Sequence, residues 1–303
     1  MQVKVNRWLV AVKLQAFPKV LLPVLVGLSL GYQPGFDLSW GALVLALCLA
    51  VSMQWAIVLL NDYADYQADM HHAETYPELF DQRVLVEGML SPLQVGRAGL
   101  LACLGVLLSA GGLWHLGHPS VLVLAIGGLL LLWAYSFSPL RLNYRGGGEI
   151  LETVGLGGIM PLIGYATLRA EWNFDQLILL VPIVLYGLIG ALVSGLKHEP
   201  ADRDSGKKTL TVWMGSQRVR RIVWGAQIAS RVWCGLLFLS GSYGLSVMFL
   251  AALAPALPMY VTRRYDDRAD YRDIPSLGAY KKSLKQAAYL TYAGLFIDFV
   301  LMG

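Results

Sequence analysis

Long apolar runs, broken by short charged stretches, set the pattern of this chain. Read at about twenty residues per membrane crossing, they predict nine helices: 14–32, 40–60, 93–115, 120–137, 150–168, 176–196, 219–240, 243–262 and 285–302. The first run is itself membrane-length and has no small-residue cleavage site, so it is expected to be a span and not a cleaved leader. Residues 1–13 combine Lys4, Arg7 and Lys13 with Trp8 and four valines. That mixture predicts a short amphipathic segment on the inner membrane surface. Pro18 and Pro23 are expected to kink or delay the first span. Ser91-Pro92-Leu93-Gln94 supplies an N-cap, a first-turn proline and a capping glutamine, which starts the third. The fold class expected is all-α and polytopic.

Composition and charge agree with this. The chain is 56% hydrophobic and 15% charged, with a mean hydropathy of +0.55, where a soluble domain is about one-quarter charged. With the N-terminus placed inside, 22 of the 24 Lys and Arg fall on the inner side, in the N-terminal segment and near 61–97, 138–148, 197–221 and 263–285. Arg169 falls outside and Arg231 within a span, and the outer connections 33–39, 116–119 and 241–242 carry none. This is the asymmetry of the positive-inside rule, so the C-terminus is expected outside. The net charge of +4 follows from that orientation, with anionic lipid as the natural partner; neither nucleic acid nor an obligate protein partner is expected. Cys48, Cys103 and Cys234 all lie in apolar runs, with no zinc or redox spacing.

The expensive residues are at one helix end. Asn61-Asp62-Tyr63-Ala64-Asp65-Tyr66-Gln67-Ala68-Asp69 follows directly on the run 40–60. At about 100° per residue, Asp62, Asp65 and Asp69 fall within roughly 60° of one another on a helix. Three anions on one face repel unless a cation sits among them, and hard oxygen donors around a partly hydrated ion suit Mg²⁺ completed by substrate phosphate. The alternative is a solvated polar helix end. A second acidic stretch, Lys197-His198-Glu199-Pro200-Ala201-Asp202-Arg203-Asp204, ends the run 176–196, followed by Lys207 and Lys208, which are placed to meet phosphate as point charges. On a helix His198, Glu199 and Asp202 share a face, although Pro200 perturbs that turn. The chain thus echoes itself, at about 40–140 and 176–262, within a single domain 1–303. Between the two stretches, His71 and His72 read as metal ligands or as solvated loop residues. Arg141 and Arg145 read as partners for a substrate anion or as interface anchors, and Gly146-Gly147-Gly148 as a turn.

Two facing carboxylate clusters can clamp a diphosphate through metal ions, with cationic side chains around them and an apolar interior for a long tail. That suits ionisation of an allylic diphosphate and its capture by an electron-rich acceptor. Paired repeats around a polar site also occur in transporters, so a carrier of a phosphorylated ligand is the alternative.

These residues resemble the UbiA superfamily of intramembrane prenyltransferases over nearly the whole chain. Asn61-Asp62-x-x-Asp65-x-x-x-Asp69 matches the family's first acidic motif, Asp81-x-Arg83 with Gly88 and Ser91 is similar to its basic loop, and Gly206-Lys207-Lys208-Thr209 is similar to the segment after its second motif. Asn61-Asp62-Tyr63, Tyr135-Ser136 and Tyr144-Arg145-Gly146-Gly147-Gly148-Glu149 look most similar to the branch that prenylates 1,4-dihydroxy-2-naphthoate in menaquinone biosynthesis. The resemblance implies nine helices around a central cavity, two acidic helix ends under a cytoplasmic cap, and a site facing the cytoplasm of a bacterial or archaeal inner membrane. It implies Mg²⁺ held by Asp62, Asp65 and Asp69, with Asn61 in support and Asp202 in the second motif. It implies an isoprenyl diphosphate met by Arg83 and Lys207, with Lys208 and Arg141 as further contacts, Tyr135 near the departing diphosphate, and an aromatic acceptor. One position departs from the family: its second motif has two aspartates four apart, and the earlier one is His198 here. Either Glu199 supplies that carboxylate, or His198 acts as base or hydrogen-bond partner for the acceptor. Hydroxybenzoate, homogentisate or a lipid precursor are the alternative acceptors.

Overall fold

The computed structural model describes residues 6–33, 35, 39–240 and 248–302, and all its regular structure is helical. Helix α1 (Arg7–Ala11) and a 3₁₀ turn (Leu14–Ala16) lead into α2 (Pro18–Gly31) with a bend of 49°. The bend comes just before Pro18, which stands in the first turn, where its missing N–H is not needed; Pro23 is accommodated inside α2. Then come α3 (Trp40–Thr75), α4 (Pro92–His115) and α5 (Pro119–Ser136), and the short α6 (Leu142–Arg145) and α7 (Gly148–Glu152). A π-helical stretch, Thr153–Ile159, joins α7 to α8 (Met160–Leu168). The second half holds α9 (Phe174–Leu177), α10 (Val181–Asp204), α11 (Leu210–Met214), α12 (Ser216–Ser240), α13 (Phe249–Leu253), α14 (Ala256–Tyr265) and α15 (Ile274–Met302).

Six helical segments among the described residues are long and apolar enough to cross a membrane, and the bent pair at the N-terminus makes a seventh if counted as one span. The two remaining expected spans differ. Residues 243–247 lie outside the described residues, and the rest of the expected span 243–262 is split into α13 and α14 at Pro255. The last helix starts earlier than expected and carries Lys281, Lys282, Lys285 and Asp298, which lower its apolar average. The start at Ser91 is as expected: Ser91 caps Gln94, and Gln94 returns a bond to the Ser91 backbone.

The packing follows small residues, as it must where lipid tails offer no hydrophobic drive to association. Helices α2 and α8 touch backbone to backbone. A Cβ on Gly27 would lie 1.9 Å from the Pro161 carbonyl oxygen, and one on Gly164 would lie 2.1 Å from that of Val24. Two cores result. One gathers side chains of α2 to α5 and α8; the other joins α10, α12, α13 and α15. Helix α2 serves both, sending Val20, Val24 and Leu28 into the first and Val26 and Leu30 into the second.

Helix α3 has 36 residues, so it runs about 22 Å past Leu60, the last residue of its apolar run. This overhang carries the acidic residues. The connection after it is anchored by its own apolar cluster: Val84, Leu85 and Leu90 bury against Ala11, Val58, Leu59 and Val95. Gly88, in the left-handed region at φ +64°, turns the chain back.

Candidate active site

On the α3 overhang, Asp62, Asp65 and Asp69 are 2%, 6% and 8% exposed. Buried carboxylates need partners, and each has them. The Arg83 guanidinium, dropped in by the anchored loop, bonds Asp62 Oδ1 and lies 3.7 Å from Asp69 Oδ2. The Lys13 ammonium reaches the same Asp62 oxygen at 2.7 Å. Asp65 accepts from Asn61 and Asn143, both at 3.4 Å, with Arg141 Nη2 at 3.8 Å and Lys207 Nζ at 3.6 Å. Lys207 then bridges to Asp202 Oδ1 at 3.8 Å, which joins the two acidic helix ends through one ammonium. Lys13, Arg83, Arg141 and Lys207 thus face Asp62, Asp65, Asp69 and Asp202. Burial pushes the Asp69 carboxyl up to about 6 despite Arg83, and Asp202 up to about 6 despite Lys207; both stand beyond the apolar runs. Asp62 Oδ2 is buried with no hydrogen-bond partner.

Lys207 is positioned by backbone. Lys208 N–H donates to the Tyr144 carbonyl at 3.0 Å, and Leu210 N–H donates to Glu149 Oε1 at 2.7 Å. The strap 205–209 is thereby pinned to the junction of α6 and α7. That junction turns on Gly146 and Gly147, at φ +92° and +99°, so the glycine triplet is a shaped corner. The Tyr144 ring sits against two cations, with the Arg141 guanidinium carbon 3.8 Å and Lys207 Nζ 4.6 Å from its centroid. Tyr135 packs beside Gly148, where a Cβ would come within 3.2 Å of its ring.

Three expected site residues point elsewhere. Glu199, expected among the metal ligands, accepts from the Ser216 hydroxyl and, at 3.0 Å, from Arg203; one residue beyond His198, it lies about 100° around α10 and faces α12. Lys208 is exposed, and its backbone, not its ammonium, serves the site. His198 turns to α3, its ring 5.2 Å from that of His72 and its Nε2 3.9 Å from Asp81 Oδ2. Burial and the nearby Lys281 charge lower its pKa to about 3, and burial and Arg83 lower that of His72 to about 4, so both rings stay neutral and make weak bases. Asp81 also bonds Lys197. His72 is a ring contact here, and no three His, Cys, Asp or Glu side chains among the described residues are gathered as a metal site.

Sequence reasoning missed Lys13, Asn143, Tyr144 and Glu149 as parts of this site. Glu149 after three glycines was the available signal, a carboxylate at a corner. Nothing near Lys13 in the sequence points to Asp62.

A mainly apolar cavity of about 1030 Å³ opens beside the cluster, between α3, α4 and α5; Leu60, Tyr63, Leu132, Trp133 and Phe137 line it and Arg141 borders it.

The model of the UbiA prenyltransferase family matches residues 20–297. The 1,4-dihydroxy-2-naphthoate octaprenyltransferase of Bacillus subtilis is 26% identical over 243 residues, covering 77% of this chain and 75% of that protein. The enzyme of the same name from Escherichia coli is 26% identical over 280 residues, 87% of each. A UbiA homologue from Archaeoglobus fulgidus, solved bound to GPP and Mg²⁺, superposes with a TM-score of 0.73 at 15% identity, over 97% of this chain and 99% of that one.

Proposed function

The chain belongs to the UbiA prenyltransferase family, and from that membership we propose that it transfers a prenyl group from an isoprenyl diphosphate to an aromatic quinone precursor in the membrane, with 1,4-dihydroxy-2-naphthoate as the acceptor. The observation that carries this reading is the cluster of three buried carboxylates and the half-buried Asp202, interleaved with four cations, beside an apolar cavity. The two relatives named for that acceptor support its choice, and the homologue bound to GPP and Mg²⁺ supports the donor and the metal.

The residues present fit Mg²⁺ in donor type, although, among the described residues, no three of them are gathered around one point as they stand. They are hard oxygen donors, and Asp62 Oδ2 is buried and unpartnered. Asp62, Asp65, Asp69 and Asp202 would hold it, with Asn61 orienting Asp65. When bound, the ion would neutralise charge developing on diphosphate as the C–O bond breaks. Arg83, Arg141 and Lys207 bind diphosphate oxygens, and the Tyr144 ring keeps two of these cations in place. The cavity takes the isoprenoid tail, and its lining keeps water from the cationic carbon. Tyr135 stands beside the departing diphosphate. The neutral His198 packs on the His72 ring near Asp81 at the rim and takes no proton. With the naphthoate acceptor, transfer is accompanied by loss of its carboxylate. The same reading includes nine spans, an inner side bearing the N-terminus and the site, an outer C-terminus, and a cytoplasmic cap made of the connection after α3 and the strap 205–209. It treats 1–303 as one domain with an internal echo.

A product assay tests it. Purified protein receives a long-chain prenyl diphosphate, Mg²⁺ and a panel of aromatic acceptors, read by mass spectrometry. Prenylated, decarboxylated naphthoquinol is expected. Prenylation of a different ring overturns the acceptor and keeps the chemistry; no cleavage or binding of any prenyl diphosphate favours a carrier.

A further inference from the structure

Lys13 is out of place in three respects. Its backbone is left-handed, at φ 47° and ψ 62°, a conformation unfavourable for a non-glycine residue that persists where surrounding structure demands it. Its ammonium crosses to Asp62, on α3, where it is 22% exposed. And it shares Oδ1 of Asp62 with Arg83 while Oδ2 is buried and bare. Two cations on one oxygen repel each other, and a carboxylate needs only one of them. The surplus makes sense once charges are counted over the site: Lys13, Arg83, Arg141 and Lys207 balance Asp62, Asp65, Asp69 and Asp202. A metal added to the carboxylates leaves cations without partners, and an anion must supply them.

We propose that Lys13 is a substrate-binding lysine: in the empty site its ammonium occupies the place of the metal at Asp62, and on loading it passes to a diphosphate oxygen. This rests on the diphosphate reading above. Arg83 remains bridged to Asp69, so Lys13 is the cation free to leave. Lys13 stands between α1 and α2, and Ala11 of α1 is packed against the loop that carries Arg83, so the exchange is a swing of the lysine side chain and leaves the segment in place.

The test separates a placeholder from a ligand because the two effects have opposite signs. Binding of Mn²⁺ alone, read by electron paramagnetic resonance, and of Mg²⁺–pyrophosphate, read by calorimetry, are measured on wild type, Lys13→Met, Lys13→Arg and Lys282→Met. Lys282 is exposed and controls for loss of one charge. Lys13→Met is expected to bind Mn²⁺ several-fold more tightly and Mg²⁺–pyrophosphate about ten- to a hundredfold more weakly, the loss of one charge-assisted hydrogen bond. Lys13→Arg is expected to recover most of the pyrophosphate affinity, and Lys282→Met to match wild type. Tighter Mn²⁺ binding with unchanged pyrophosphate binding makes Lys13 a placeholder only and overturns the proposal. Weakening of both makes its role structural and overturns the proposal as well. Wild-type protein that binds no Mg²⁺–pyrophosphate at all overturns the diphosphate reading itself.

Discussion

The two acidic helix ends look alike in sequence and do different work in the structure. The end of α3 keeps a strict helical period, so Asp62, Asp65 and Asp69 stack on one buried face and contact all four cations. The end of α10 also stays helical through Pro200, yet its polar side chains fan out. Asp202 joins the site, Glu199 ties α10 to α12 through Ser216, His198 meets His72, and Asp204 accepts from Tyr76. The first end is built for charge. The second mostly fastens α10 to its neighbours, and Lys207 carries its one site carboxylate into the cluster. Spacing at three and four concentrates the α3 carboxylates, whereas on α10 even His198 and Asp202, four apart, go to different partners.

Substitutions should reproduce this inequality. Asp62→Ala, or a chelator, is expected to reduce prenyl transfer about a thousandfold, several kcal/mol of lost charge stabilisation; turnover within tenfold of wild type would move the chemistry away from α3. Lys207→Met, which removes the bridge between the ends, should lower kcat/KM by about ten- to a hundredfold, with Lys207→Arg partly restoring it. Glu199→Gln sharpens the contrast: product formation should stay within about threefold of wild type while the protein loses about 1–3 kcal/mol of stability, read as a lower Tm. A severe, Mg²⁺-sensitive loss of turnover with unchanged Tm would instead make Glu199 a ligand. The smallest effect is expected for His72→Ala, which removes the ring contact with His198 and should cost about 0.5–1.5 kcal/mol of stability with turnover retained.

The helical architecture and the α3 motif were legible because both are periodic: twenty-residue apolar runs and a carboxylate face need only local sequence. Arg83, Arg141 and Lys207 were legible as cations near acids. The scatter at α10 was not, because Pro200 suggested a broken turn that the helix tolerates, and only the position of Ser216 decides where Glu199 points. Lys13 was hidden for another reason. Its partner is 49 residues away, and a left-handed lysine has no sequence signature. The expected span 243–262 was only partly legible: its first residues lie outside the described residues, and the rest is divided between α13 and α14 at Pro255.

The contact of α2 with α8 has a consequence for how the molecule is made. Their backbones meet at Gly27 and Gly164, yet the second glycine is synthesised some 140 residues after the first, about 7–30 s at ribosomal rates. During that interval α2 must rest in the bilayer beside other company, with the flat surface it reserves for α8 facing lipid or a chaperone. Helix α2 therefore reaches its final seat only once α8 has been made, and the core it shares with α8 stays open until then. A bulkier residue at Gly27 should show itself in biogenesis, as a chain inserted in the membrane but degraded before its two halves close.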